Sequence, residues 1–362
     1  MKDHWDNIDE LIADTQKVLD GEIEPPAPEQ EPENYSDWLY RQDGTDPASV
    51  EPPVRDRKSH RKKKHIFLKI LLGLLILLVA AFAALWFLFA KQPVSQKDAG
   101  LGERKPGNSV ILLAGTDAGE TRTDTMVLLS VNEPEKTVSL ISVPRDTYLP
   151  QYGGAKLNAA LGAGGGGAEG MEELMDRMEE LTGYWPDGYV LVNLDGFKSI
   201  VDAIGGVKFN VPMDMDYEDP YQDLYIHLKA GEQTLDGEQS MELVRFRSGY
   251  ARADLERVEV QRDFLKAALK QTLQLKNIVK APRLLTTVLA NSTTDMDIAN
   301  LTWLAKAMLV CDKDELTMET LAGYPQMIGG ASYFVVSPQE AAEQLNRCCN
   351  PYQNDIPADW IG

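Results

Sequence analysis

The chain has 362 residues, 43% hydrophobic and 25% charged, a globular composition with room for one large domain or two ordinary ones plus appendages. With 56 acidic against 36 basic residues its formal net charge is -20. That balance argues against nucleic acid as the main partner, since phosphate backbones are gripped by Lys/Arg-rich faces.

Residues 1–54 are acidic and proline-punctuated, as in GEIEPPAPEQEPE, and hold too few large apolar groups to offset the entropy of ordering them. They read as a mostly disordered tail. Within it Ile8, Leu11, Ile12, Thr15, Val18 and Leu19 recur at helical spacing before Gly21, giving either a transient helix or a docking helix for a cytoplasmic partner. A basic juxtamembrane segment, 55–69, contains RDRKSHRKKKH, and the charge-free apolar run Ile70–Ala90 follows. Such a run spans roughly 30 Å of hydrocarbon as a helix, at about 1.5 Å per residue. Trp86, Phe87, Phe89 and Lys91 close it in place of the small residues of a cleavage site, so it reads as an uncleaved anchor. Basic residues before the helix put the tail in the cytoplasm and everything after Lys91 outside.

A linker at 91–107 precedes three apolar runs, SVILLAG, TMVLLSV and TVSLISV, bounded by turn residues and expected as strands buried on both faces. A helical pattern at Glu169–Leu181 leads to GYVLVNLDGFKSIVDAIGGVKFNV, which reads as strand, helix, Gly-Gly turn and strand, and a further helix is expected from about Ala253 to Leu275. Beyond it PRLLTTVLANS and DIANLTWLAKAMLV read as helices, ELTMETLAG and SYFVVS as strands. The alternation predicts an α/β domain over 108–355, a three-layer α-β-α sandwich with a central mixed sheet, and a short tail at 356–362. The run GAGGGG at Gly162–Gly167 lacks the Gly-Lys-Ser/Thr ending of a phosphate loop and reads as a flexible loop, gating of the site being the alternative. Cys311, Cys348 and Cys349 are either free or include one bridge from Cys311 to the adjacent pair. His227 is the only histidine outside, too little for a His-based zinc site or a Ser-His-Asp triad.

Polar groups gather where the strands are expected to end. GTDAGETRTDTMVLLS places Asp117, Arg122 and Asp124 between the first two strands, VPRDTYLP adds Arg145 and Asp146 after the third, and AKLNAA adds Lys156 and Asn158. LVRFRSGYARADLERVEVQR carries Arg245, Arg247, Asp254, Arg257 and Gln261. On a helix Asp254, Arg257 and Gln261 share one face while Leu255, Val258, Leu265 and Leu269 line another. Ligands of open α/β sheets sit outside the carboxyl ends of the strands, where Asp117 and Arg145 fall. Taken singly, each of these polar residues is an ordinary turn cap or surface ion pair. Together the arginines need a polyanion, since two unit charges at 4 Å repel by about 4 kcal/mol at an effective dielectric of 20, and their planar forks match phosphate oxygens. Asp117 and Asp124 supply oxygen ligands of the kind a magnesium ion takes when it also contacts substrate phosphates, so the gap between the strands is expected to hold a metal and a phosphate.

The series GTD with RTDTMVLLSV, VSLISVPRDTYLP, KLNAA, IVDAIGGV, LDGEQSMELVRFR, ADLERVEVQ and a late NPY resembles, in order and across nearly all of Ser109–Tyr352, the LytR-CpsA-Psr family. The resemblance implies a cytoplasmic tail, one membrane helix and an outer domain in the bacterial cell membrane. It implies a phosphotransferase that moves a glycopolymer, such as a teichoic acid or capsular polysaccharide, from a polyprenyl pyrophosphate to a peptidoglycan sugar hydroxyl. By the same resemblance Asp117 and Asp124 match the magnesium aspartates, Arg122, Arg145, Arg245 and Arg247 the pyrophosphate-holding arginines, with Lys156, Asn158, Asp254, Arg257 and Gln261 around them. Two departures stand out: Gly119 replaces an arginine two positions after the first aspartate, in a shortened loop, and Leu255-Glu256 replaces Phe-Gly. A pyrophosphatase using water, or a non-catalytic sensor signalling through the tail, are the rival readings.

Overall fold

The computed structural model describes residues 88–117, 119–221, 224–247, 254–274, 280–312 and 316–362, with Lys69, Leu72 and Gly73. The acidic tail with its expected helix, and most of the basic segment and apolar run, lie outside the described residues. Among those described, no helix is long and apolar enough to cross a membrane.

The three apolar runs form β1 (Asn108–Thr116), β2 (Thr123–Asn132) and β3 (Thr137–Ser142), antiparallel and in register at Leu112↔Leu128 and Leu128↔Ile141. Further on come β4 (Tyr148–Leu149), β5 (Ala155–Lys156), α1 (Ala160–Ala163), α2 (Gly167–Thr182), β6 (Gly188–Val192) and α3 (Leu194–Ile204). After α3 lie β7 (Val207–Val211), β8 (Met215–Asp219), β9 (Leu224–Leu228), β10 (Gly231–Leu235), α4 (Gly237–Arg245) and α5 (Asp254–Thr272). The chain ends with α6 (Ala281–Ala290), β11 (Thr293–Thr294), α7 (Ile298–Val310), β12 (Thr317–Thr320), β13 (Gly323–Ile328), β14 (Ala331–Val336) and α8 (Pro338–Cys348). The main sheet has the order β11-β6-β1-β2-β3-β12. It is mixed, because β6 and β12 run parallel to β1 and β3 while the other pairs are antiparallel.

Successive side chains of a strand point to opposite faces, so an uninterrupted apolar run needs cover on both. Leu112, Met126, Leu128 and Ile141 pack with Leu174 and Met178 of α2 and Leu345 of α8. Their neighbours Ile111, Val127, Leu129 and Leu140 pack with Leu285 of α6 and Leu301 and Ala307 of α7. Each such side chain, fully buried, stabilises the fold by about 1.5–3 kcal/mol relative to leaving it in water. A third cluster joins α3, α4, the antiparallel β7–β10 pair and the β8–β9 hairpin around Val207, Ile226, Leu243 and Phe264. Helix α5 packs Leu265 and Leu269, from the apolar face expected from sequence, into the second cluster and buries Val260 and Phe264 in the third, so it carries two apolar faces.

The expected Gly-Gly turn is present. Gly205 ends α3 at φ 95 and Gly206 follows at φ 80, where a Cβ would meet the Leu235 carbonyl at 2.8 Å. Segments expected as linker and tail are bonded to the domain. Lys91 N–H donates to the Ala299 carbonyl at 3.0 Å, Ser95 N–H to Asp187 Oδ1 at 2.8 Å, and Arg104 Nη2 to Asp187 Oδ2 at 2.6 Å. At the other end Ile356 and Ile361 enter the first cluster. The three cysteines are free thiols, so no bridge from Cys311 forms, and burial pushes the Cys311 thiol up to about 11.

Tyr152, between β4 and β5, donates its hydroxyl to Glu180 Oε1 at 2.8 Å, with Arg177 stacked 4.1 Å from its ring centroid. The carboxylate acceptor, then burial, pushes its phenol up to about 12. A pKa raised above the unfolded value of about 10 gives a contribution that is complete below pH 10 and fades as pH rises through about 12. Unfolding measured from pH 9 to 12 should therefore show an alkaline loss of stability that is smaller in Tyr152→Phe than in wild type.

Candidate functional site

The turn between β1 and β2 is built by main-chain bonds that leave its side chains outward. Asp117 N–H donates to the Arg122 carbonyl at 3.3 Å, Glu120 N–H to the Asp117 carbonyl at 3.1 Å, and Thr116 Oγ1 to the Arg122 carbonyl at 2.9 Å. Asp117 Oδ1 accepts the Thr121 N–H at 3.1 Å, which fixes that carboxylate at the end of β1. Asp124, the second residue of β2, accepts from Arg145 Nη1 at 2.7 Å, with the two side chains 47% and 32% exposed. A pair so open to water contributes about 0–1 kcal/mol to stability. It is better placed to receive a ligand than to hold the fold.

Arg145 follows β3, and its carbonyl accepts the Asn158 N–H at 3.0 Å, which brings the Lys156–Asn158 stretch alongside. Lys156 Nζ lies 2.9 Å from Asp146 Oδ1 and 5.3 Å from the Tyr333 ring centroid. Tyr333 is on β14, held there by the Phe334 N–H donating to the Asp146 carbonyl at 3.0 Å and by an edge contact with Tyr148 at 5.0 Å. Sequence reasoning missed Tyr333, because SYFVVS carries only a core-strand signal. Arg122 is exposed, and among the described residues its side chain makes no hydrogen bond or ion pair.

A second group lies where α4 meets α5. Gln261 Nε2 donates to the Val244 carbonyl at 2.7 Å, next to half-buried Arg245 at the end of α4 and exposed Arg247 beyond it. This amide is engaged in holding the two helices together. Asp254 and Arg257 lie in the first turns of α5, with side chains outside the described residues, so the shared face expected with Gln261 is set only by helical spacing. No hydrogen bond or ion pair among the described residues joins the two groups directly. Helix α3 is the element between them. Its N-cap, Asn193, donates through Nδ2 to Glu120 Oε1 at 3.3 Å, while its C-terminal half packs on α4 through Asp202 Oδ1, which accepts the Gly237 N–H at 2.8 Å. Asn193 was also missed, although an Asn directly before an amphipathic helix is a recognisable cap.

His227 is exposed on the β8–β9 hairpin, 2.8 Å from Asp216 Oδ1. Among the described residues no three His, Cys, Asp or Glu side chains form a metal cage. Magnesium keeps waters and takes one or two carboxylates plus substrate phosphate oxygens instead of a closed protein cage, and the carboxylates of Asp117 and Asp124 are donors of that chemistry.

The fold and this cluster define a mixed α/β domain whose strand ends present arginines and carboxylates in a form suited to phosphate. The sequence model of the LytR_cpsA_psr family matches residues 89–349, and the chain belongs to that family. It is 33% identical over 236 residues to the polyisoprenyl-teichoic acid–peptidoglycan teichoic acid transferase TagU of Oceanobacillus iheyensis, covering 64% of this chain and 72% of that protein. The TagU of Halalkalibacterium halodurans is 30% identical, with 64% and 75% covered. Among solved structures, B. subtilis TagV superposes with a TM-score of 0.56 at 25% identity, over 66% of this chain and 94% of that one. TagT bound to LIIa-WTA superposes at 0.53 and 25%, over 70% and 93%.

Proposed function

We propose that this chain is a glycopolymer phosphotransferase, moving a teichoic acid or similar secondary wall polymer from a polyprenyl pyrophosphate to a peptidoglycan sugar hydroxyl. The reading is carried by the gathering of Arg122, Arg145 and Lys156 with Asp117 and Asp124 at the strand ends, in a chain that belongs to this family. With it goes the finer architecture: a three-layer sandwich held outside the bacterial cell membrane by one helix over 70–90, its tail in the cytoplasm with a partner for the helix at 6–21.

In this mechanism the acceptor hydroxyl attacks the glycan-side phosphorus in line. A new oxygen–phosphorus bond forms, the bond to the bridging oxygen breaks, and polyprenyl phosphate leaves with the electron pair. Arg122, Arg145, Arg245 and Arg247 hold the phosphoryl oxygens and stabilise their charge, and fixing the two reactants in one geometry supplies much of the acceleration. Asp124 or Asp254 accepts the hydroxyl proton. Asp117 and Asp124 would hold magnesium, which when bound neutralises phosphate charge.

The test is transfer by the purified full chain in detergent, given a short polyprenyl-pyrophosphate oligosaccharide and a peptidoglycan oligomer, with and without magnesium. Magnesium-dependent attachment is the expected result. Free phospho-glycan with no attachment would replace the transferase by a pyrophosphatase, and donor binding without turnover would replace it by a sensor.

A further inference from the structure

The turn that carries Asp117 and Arg122 has a second side. An open cavity of about 470 Å³ lies between Gly119, Glu120 and Thr121 on one wall and Gly165, Gly166, Gly167, Ala168 and Glu169 on the other. This volume is within the range of about 300–1,000 Å³ usual for small-ligand sites. The glycine run, read from sequence as a flexible loop with gating of the site as the alternative, is what makes the approach of the two walls feasible. A Cβ on Gly162 would come within 2.6 Å of the Thr121 carbonyl, and one on Gly166 within 2.9 Å of the Glu120 carbonyl.

Glu120 has a left-handed backbone at φ 50, a conformation shared among the described non-glycine residues only with Lys136. Holding a residue there costs about 1–3 kcal/mol and persists where surroundings enforce it, often at ligand-binding positions. The main-chain bonds of the turn, Glu120 N–H to the Asp117 carbonyl and Asp117 N–H to the Arg122 carbonyl, hold the backbone, and a separate contact orients the side chain. Asn193 Oδ1 is committed to the Gly196 N–H at 2.9 Å as the cap of α3, so its Nδ2 is aimed at Glu120 Oε1, 3.3 Å away. The other oxygen, Oε2, takes no donor among the described residues and faces Gly167, whose built Cβ would lie 3.5 Å from it. A carboxylate oriented at one oxygen and without a donor at the other, beside a glycine-rich wall, can accept ligand hydroxyls.

The lining carries two carboxylates and no Lys or Arg, so a phosphate here would meet repulsion of about 2–4 kcal/mol per charge at 4–8 Å and an effective dielectric of 20. The cavity is therefore unsuited to the anionic donor and suited to a neutral polyol. It also shares Thr121 with the charged cluster, since the Thr121 N–H is the donor to Asp117 Oδ1. We propose that the groove between Glu120 and the 162–167 glycine run binds the acceptor glycan, with the Glu120 carboxylate holding its sugar hydroxyls beside the phosphate site. This rests on the transferase reading above and names the acceptor subsite within it.

The test is calorimetric titration of the full chain in detergent with a β-1,4-linked N-acetylhexosamine tetrasaccharide, alongside transfer kinetics at varied acceptor. Wild type should bind the sugar. Glu120→Gln should bind at least tenfold more weakly, with a matching rise in acceptor KM and an unchanged donor KM. Ala168→Trp, an exposed helix position whose indole fills the groove, should do the same and keeps the question open to experiment if the Glu120 variant fails to fold. No sugar binding by wild type, or wild-type affinity in either folded variant, overturns the proposal. Sugar binding that depends on Glu120 in a protein that transfers nothing would sink the transferase reading and leave the groove standing; transfer with acceptor KM unmoved by both variants would do the reverse.

Discussion

Arg145→Ala should lower kcat/KM for glycan transfer by roughly 10²–10³, the loss typical when one preorganised donor to a developing oxyanion is removed, equivalent to about 3–4 kcal/mol of transition-state stabilisation. The fold should survive. Arg145 and Asp124 are 32% and 47% exposed, and losing such a pair should lower the unfolding free energy by only about 0–1 kcal/mol. Arg145→Lys should fall between the two, since a lysine restores the charge but not the planar fork. Near-wild-type transfer by the alanine variant, assayed on purified full chain, would remove the phosphate from the ends of β1 and β3. Loss of both folding and activity would instead mark Arg145 as structural, against what its exposure indicates.

Asp187→Ala is expected to carry the largest stability penalty, about 3–5 kcal/mol, by breaking one side of a buried ion pair. The Asp187 carboxylate is 1% exposed and accepts from Arg104 Nη2 at 2.6 Å, Ser95 N–H at 2.8 Å and Val110 N–H at 2.9 Å. Arg104 Nε and Nη1 are buried with no partner, so alanine would leave the guanidinium with only the Asn108 carbonyl at 3.4 Å from Nη2 and the Tyr352 ring 4.8 Å away, and no counter-charge. Burial pushes the Asp187 carboxyl up while Arg104 and the two amides pull it down. The geometry favours the ionised form, because only a carboxylate satisfies three converging donors. Asp187→Asn should lose less, keeping one acceptor oxygen while adding a donor that faces the Arg104 cation. Urea unfolding followed by tryptophan fluorescence would measure both, and a wild-type midpoint in Asp187→Ala would mean that the Arg104–Asp187 pair contributes nothing to stability.

The two variants separate the kinds of information that the chain holds. Arg145, Asp117, Asp124 and Lys156 were legible because they sit in short polar gaps directly after apolar strand runs, and chain order alone carries them to the same end of a sheet. Arg245 and Arg247 were legible from motif spacing, but the structure gives them no bonded link to the first group among the described residues. Gln261, expected around the phosphate, donates to the Val244 carbonyl, a partner that helix periodicity does not specify.

The sequence by itself determined the strands β1 to β3, the helices α2, α3, α5, α6 and α7 and the placing of polar residues at the strand ends, since hydrophobic period and turn residues act within a few positions of one another. It did not determine the β8–β9 hairpin, the short α4 or α8, whose patterns are brief and half polar, nor the pairing of β1 with β6 and β3 with β12 that makes the sheet mixed. Only the tertiary structure joined Arg104 to Asp187, Asn193 to Glu120, Tyr333 to Lys156 and the glycine run to Thr121. Those contacts join residues tens to hundreds of positions apart, each in its own setting an ordinary polar, aromatic or glycine residue. Their partners are chosen by which strands lie side by side and which loops share an end of the sheet. That choice is made by burying apolar surface over the whole domain, and no local stretch of the chain encodes it.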